Sequence, residues 1–127
     1  MCIFVNSDLY AFRDDILSSS LFSESIWCRI PLANKDCLLL GVIYRSPNSD
    51  IDNFNNLCSL LTQAVNTGVS HLLIAGDFNM PHINWNTFSV TSNSACDGTF
   101  LTFLMIFSLH NMLYFPLGLE IIKLHLY

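Results

Sequence analysis

The sequence predicts an α/β fold in which a helix packs on the face of a sheet, and three segments carry that expectation. Leu38 to Tyr44 is a short run apolar on both faces, Ile51 to Val65 is periodic at three- and four-residue steps, and His71 to Gly76 is again short and apolar. Strand, helix, strand in that order is the unit from which layered α/β domains are built.

The opening Cys2-Ile3-Phe4-Val5 has strand composition and is expected to join the same sheet. From Ser25 to Leu32 the residues alternate, with Ile26, Cys28, Ile30 and Leu32 on one face and Trp27 and Arg29 on the other. That pattern predicts a half-buried strand whose Ile26 face is inward. Ala33-Asn34-Lys35-Asp36 supplies a polar turn, and the run that follows completes a hairpin whose second strand is covered on two sides. Ser46-Pro47-Asn48-Ser49 reads as a loop, with Ser49 and Asp52 spaced as a capping box. Ile51, Phe54, Leu57, Leu61, Ala64 and Val65 then form the apolar stripe of an amphipathic helix that Gly68 ends. The stretch from Asn86 to Cys96 is rich in Ser, Thr and Asn and reads as a long loop. Asp97 or Thr99 is expected to cap a helix running to about Leu109, and the tail from Leu119 to Tyr127 is strand-like.

With 127 residues the chain holds one domain at most, or part of a larger one. Hydrophobic residues make up 52% and charged residues 12%, too apolar for disorder and apolar enough to expect a further covering element. Five basic residues stand against ten acidic ones, so bulk electrostatic attraction to nucleic acid is not the expected mode of binding. The five cysteines are odd in number and unclustered, as are the four histidines. This disfavours structural zinc and fits an intracellular, reducing compartment. The N-terminus lacks the basic and long apolar regions of a signal peptide. Residues 100–119 carry no charge and approach the roughly 20 residues a bilayer requires, but Ser108, His110, Asn111 and Pro116 interrupt them, so a buried helix followed by a strand is expected.

Chemistry concentrates around Gly76-Asp77-Phe78-Asn79-Met80-Pro81-His82-Ile83-Asn84-Trp85, directly after an apolar strand. Open α/β sheets gather their ligands beyond the carboxyl ends of their strands. Asp77 and Asn79 are two residues apart and able to face one cleft, although Asx residues also make ordinary turns there. Tyr44, Arg45 and Asn48 follow the other apolar strand, so a phenol, a guanidinium and a carboxamide converge on a strand end as well. Pro81 stiffens the path out of the Asp77 loop and Trp85 anchors it by packing.

Taken together, Gly41-Val42-Ile43-Tyr44-Arg45-Ser46-Pro47-Asn48, the amphipathic helix and the segment from Leu73 to Trp85 resemble the endonuclease/exonuclease/phosphatase family, in particular the apurinic-type endonuclease domain of non-LTR retrotransposons. The resemblance spans residues 1–116, with 117–127 a divergent tail. It implies an incomplete two-sheet α/β sandwich of the DNase I-like type and phosphodiester hydrolysis assisted by Mg²⁺. It further implies that Asp77 orients or deprotonates the attacking water, that Asn79 holds a phosphate oxygen, and that Tyr44 stabilises developing charge. Asn48 and Arg45 are the matching candidates for contact with backbone phosphate, and Arg45 reads equally as a solvated strand-end charge. DNA is the implied partner, a reverse transcriptase the implied neighbour in the parent protein, and the nucleus the site of an active parent. Two features of the pattern are absent: an early metal-binding Glu and a closing Ser-Asp-His. Glu24 reads as a solvent-facing charge and His110 as a capping or packing residue, so no metal ligand is assigned. The expectation is a portion of such an endonuclease with negligible cleavage alone. The competing expectations are a non-catalytic remnant and a small membrane-associated protein built on residues 100–119.

Overall fold

Two hydrophobic stripes, one on a helix and one on a sheet, account for the architecture of the chain. The computed structural model describes residues 1–18, 20–106, 111–114 and 120–125. In chain order they form β1 (Phe12–Arg13), α1 (Asp15–Ser18), β2 (Ser25–Pro31), β3 (Cys37–Tyr44), α2 (Ile51–Val65), β4 (His71–Asp77), β5 (Ile83–Asn84), β6 (Ser89–Val90), α3 (Ala95–Ile106), β7 (Asn111–Tyr114) and β8 (Glu120–His125). The main sheet runs β1-β2-β3-β4-β8-β7, and β5 and β6 form a separate small hairpin.

β2 and β3 are the expected antiparallel hairpin, joined by a 3-10 turn in which Asn34 and Lys35 take positive φ. β3 and β4 are parallel, with α2 as the crossover between them. β8 pairs antiparallel with β4 on one side and β7 on the other, so the strand-like tail lies inside the sheet, not at its edge.

α2 buries Phe54, Leu57, Leu60, Leu61 and Ala64 against Leu39 and Ile43 of β3 and Leu72 and Ile74 of β4, and α3 adds Phe100, Leu101 and Leu104 to the same core. Alternation along the strands puts every second residue on this covered face. Leu38, Leu40, Val42, Leu73 and Ala75 take the other face and stay only half-buried. β3 is therefore covered on one side where two were expected.

The orientation of β2 also departs from the alternation read in sequence. Trp27 is 0% exposed, inside the core, while Cys28 and Ile30 on the opposite face are buried as well. Space explains this, since Trp27 pairs with Gly41, and a methyl group on Gly41 would overlap the six-membered ring of the indole. The Trp27 Nε1–H donates to Ser25 Oγ at 3.1 Å, and Arg29, on the same face, is tied to Asp14 at 2.7 Å. The indole N–H and the Arg29 Nε on the covered side of β2 each thus have a partner.

Four further expectations are corrected. Cys2–Val5 forms no strand. Phe4 is 94% exposed and the sheet edge is taken instead by Phe12–Arg13. The N-cap of α2 is Asp50, whose carboxylate accepts from Asn53 N at 2.8 Å, while the Ser49 hydroxyl turns back to Ser46 O. α3 starts before the expected caps: Ser94 precedes it, and Asp97 and Thr99 lie within it. The polar loop from 86 to 96 contains β6, paired with β5 in register Ile83↔Val90. His110 lies outside the described residues. Among those described, no helix is long and apolar enough to cross a membrane, and α3 has 12 residues.

Candidate active site

Parallel pairing brings the ends of β3 and β4 to one rim. The register places Tyr44 beside Asp77, and Arg45 N extends the pairing one step by donating to Asp77 O at 2.8 Å. Both chains then turn sharply through an asparagine of positive φ, Asn48 at 60° and Asn79 at 48°. Asparagine tolerates this left-handed region better than most side chains, and backbone held there is concentrated at functional sites.

The two loops lock each other. Asp77 Oδ1 accepts from Asn79 N at 3.0 Å, an Asx turn, and Asn79 Nδ2 donates to Arg45 O at 2.5 Å. The turn reading and the site reading of these residues therefore coexist: the turn is what fixes the Asn79 side chain against the neighbouring strand end. Ser46 is held from the other direction by Glu24, whose Oε1 accepts from Ser46 Oγ at 2.5 Å and whose Oε2 accepts from Ser46 N at 3.4 Å. Glu24 is half-buried and bonded, not the solvent-facing charge expected from sequence.

Arg45 is 6% exposed, which removes the reading of it as a solvated strand-end charge. Its guanidinium donates to Asn79 O at 3.5 Å and Ser49 O at 3.4 Å and lies 6.0 Å from the centre of the Phe54 ring. Nε has no hydrogen-bond partner, and among the described residues no carboxylate forms an ion pair with this side chain. A buried cation balanced only by carbonyl dipoles and an aromatic face leaves a positive field at the rim.

A cleft of about 740 Å³ opens here, lined by Arg45, Asn48, Asp77 and Asn79 on the strand-end side, by the Met80–Ile83 segment and Trp85, and by Ser94, Cys96 and Asp97 from the start of α3. Four of the five candidate residues thus share one cavity. Tyr44 is 45% exposed and stands next to Asp77 in register without lining it.

Asp97 was legible in the sequence only as a helix cap. It is 4% exposed, with Oδ2 accepting from His82 N at 2.9 Å and Oδ1 accepting from Ser94 Oγ at 2.8 Å. The available signal was Ser94 three residues before Asp97 ahead of an apolar run, the spacing of a capping box. Behind the cleft, the Cys58 thiol is pushed up to about 11 by burial and by neighbouring Cys96, with Arg45 acting against them. It is inert as a nucleophile at neutral pH.

A parallel β3-α2-β4 unit with polar residues at its carboxyl rim defines an α/β protein with a ligand cleft. A family model described as endonuclease-reverse transcriptase matches residues 38–118, more than half of the 127 residues, and the chain belongs to that family. Among solved structures, the chain is similar to the endonuclease domain of TRAS1, a telomere-specific non-LTR retrotransposon, with a TM-score of 0.58 and 14% identity over 87% of this chain and 46% of that one. At this identity the likeness is one of fold, the DNase I-like α/β architecture, and the chain spans less than half the length of the solved chain. No curated protein matches the sequence.

Proposed function

We propose that the cleft binds a DNA phosphodiester and that the chain supplies part of the site of a divalent-metal-dependent endonuclease of a non-LTR retrotransposon, with negligible strand cleavage on its own. The observation that carries this reading is the convergence of Arg45, Asn48, Asp77 and Asn79 on one cavity at the rim of β3 and β4. Asp77 is the carboxylate placed to accept a proton from water as the water oxygen bonds to phosphorus and the bond to one bridging oxygen breaks. Asn48 and Asn79 offer neutral donors to the non-bridging oxygens. The Arg45 charge favours a phosphate in a chain that is otherwise acidic. Tyr44, beside Asp77, is the group assigned to the developing charge or the leaving oxygen.

The Mg²⁺ that the resemblance implies does not find a complete site in these residues. No three His, Cys, Asp or Glu side chains gather among the described residues, and of the two carboxylates at the cleft Asp97 has both oxygens engaged within the protein. No step is therefore routed through the ion. None of the four histidines follows a Ser-Asp pair, so the closing Ser-Asp-His of the resemblance is also missing from the sequence. Removing one member of a cooperating set costs orders of magnitude in rate, hence the expectation of binding without turnover. The parent protein is proposed to carry a reverse transcriptase alongside this domain.

Incubation with supercoiled plasmid in Mg²⁺ or Mn²⁺, beside a gel-shift titration of the same DNA, tests this. The expected result is a shift that weakens in Asp77→Ala and Asn79→Ala, with nicking at background. Nicking well above background that disappears in Asp77→Ala would overturn the inactivity, and no shift at all would overturn the phosphodiester site.

A further inference from the structure

We infer that Asp97 is a positioning residue of this cleft, acting through the backbone of His82 to hold the wall that follows Asn79. The inference rests on the phosphodiester reading only for the binding consequence, not for the geometry.

A carboxylate in a largely apolar surrounding is costly unless each oxygen is bonded. Asp97 is buried, and no Lys or Arg among the described residues forms an ion pair with it. The first turn of α3 favours negative charge there. Capping alone does not explain the residue, because Ser94 already stands in the capping position, with Asp97 N donating to its Oγ at 3.4 Å and Gly98 N to its carbonyl at 3.1 Å.

What the carboxylate adds is a bond between two segments of the cleft wall. Its Oδ2 takes the His82 N–H, fifteen residues back along the chain, in the loop that runs from Asn79 to β5. Inside that loop Ile83 N closes a turn on Met80 O at 3.2 Å, and Thr91 N holds His82 O at 2.7 Å. The His82 peptide is thereby gripped at its carbonyl by the β5–β6 hairpin side and at its N–H by α3. Upstream, Asn79 is gripped by Asp77 and Arg45. A left-handed residue persists only where its surroundings over-determine it, and Asp97 supplies the downstream constraint.

The decisive comparison is between Asp97→Glu, Asp97→Asn and Asp97→Ala in the full chain. Glutamate keeps the charge and the capping preference but moves the oxygens by a methylene, whereas asparagine keeps an oxygen in place and loses the charge. Amide exchange by NMR is read at His82 and, as an internal reference, at Leu72 and Ile74, with affinity for a short DNA duplex as the second readout. Positioning predicts that exchange at His82 rises about tenfold or more in Asp97→Glu and Asp97→Ala relative to the reference amides and returns close to the unmodified rate in Asp97→Asn. Duplex affinity is predicted to fall and recover in the same order. If Asp97→Ala fails to fold, the Glu and Asn variants decide between them. Glutamate indistinguishable from aspartate at His82, or His82 and the reference amides speeding up together, would overturn the inference and leave an ordinary helix cap. A duplex that does not bind the unmodified chain would instead retire the phosphodiester reading, and exchange at His82 would still decide the role of Asp97.

Discussion

At the scale of single residues, Arg45 shows how tertiary contact decides what a sequence position means. Its place after an apolar strand marked it as a strand-end cation, free either to grip phosphate or to point into water. Its burial follows from Phe54 on α2 lying over it and from the Ser49 and Asn79 carbonyls arranged around its head. No local pattern encodes that enclosure. The planar fork reaches two carbonyls at once, a geometry the compact ammonium of lysine does not reproduce. Arg45→Lys is therefore expected to destabilise the chain by about 1 to 2 kcal/mol in urea unfolding, and an unchanged midpoint would show the fork to be dispensable. Asp77 and Asn79 were legible for the opposite reason. A two-residue spacing directly after an apolar run places both at a strand mouth whatever the rest of the chain does. Tyr44 was legible only as a strand-end residue; the register sets it beside Asp77 and leaves the phenol outside the cavity.

Among the elements, the hairpin of β2 and β3, the helix α2 and the strand β4 were readable because each is long enough for its period to emerge. The pair β5 and β6, two residues each, was not, and neither was β1, which exists only because β2 offers an edge. The inward turn of Trp27 escaped the alternation because it depends on Gly41 across the hairpin, a relation between strands and not within one. The short helix α1 depends on a charge cluster. Asp14 Oδ1 accepts from Leu17 N at 2.9 Å and its Oδ2 holds Arg29. Burial works against the Asp14 charge, but the Leu17 N–H and the Arg29 guanidinium outweigh it and hold the carboxyl below its ordinary value of 3.8. A carboxyl more acidic in the folded chain than in the unfolded one stabilises fully above the unfolded value and loses that contribution as the pH falls through the folded one. The urea midpoint is thus predicted to drop as the pH falls below about 4, and the part of that drop due to Asp14 should vanish in Asp14→Asn. Identical acid limbs for the two chains would remove Asp14 from the account.

For the whole molecule, one sheet face lies under α2 and α3, and the other is only partly covered by the described residues. Leu39, Ile43, Leu72 and Ile74 lie under α2 and α3, whereas Leu38, Leu40, Val42, Leu73 and Ala75 remain half-buried. The 52% hydrophobic composition anticipated surface of this kind, although composition alone could not say which face would carry it. The solved endonuclease domain of like fold is more than twice as long as the aligned part of this chain. The phosphate proposed to bind at this rim would sit between the loops after β3 and β4 and the start of α3. Amide chemical-shift mapping of the ¹⁵N-labelled chain titrated with a short DNA duplex tests this placement most directly. Shifts are expected at residues 45–49, 77–83 and 94–97 alone, and smaller at the same DNA concentration in Asn79→Ala. Shifts clustered at the opposite end of the sheet, around Lys35 and Ser70, or none anywhere, would contradict it.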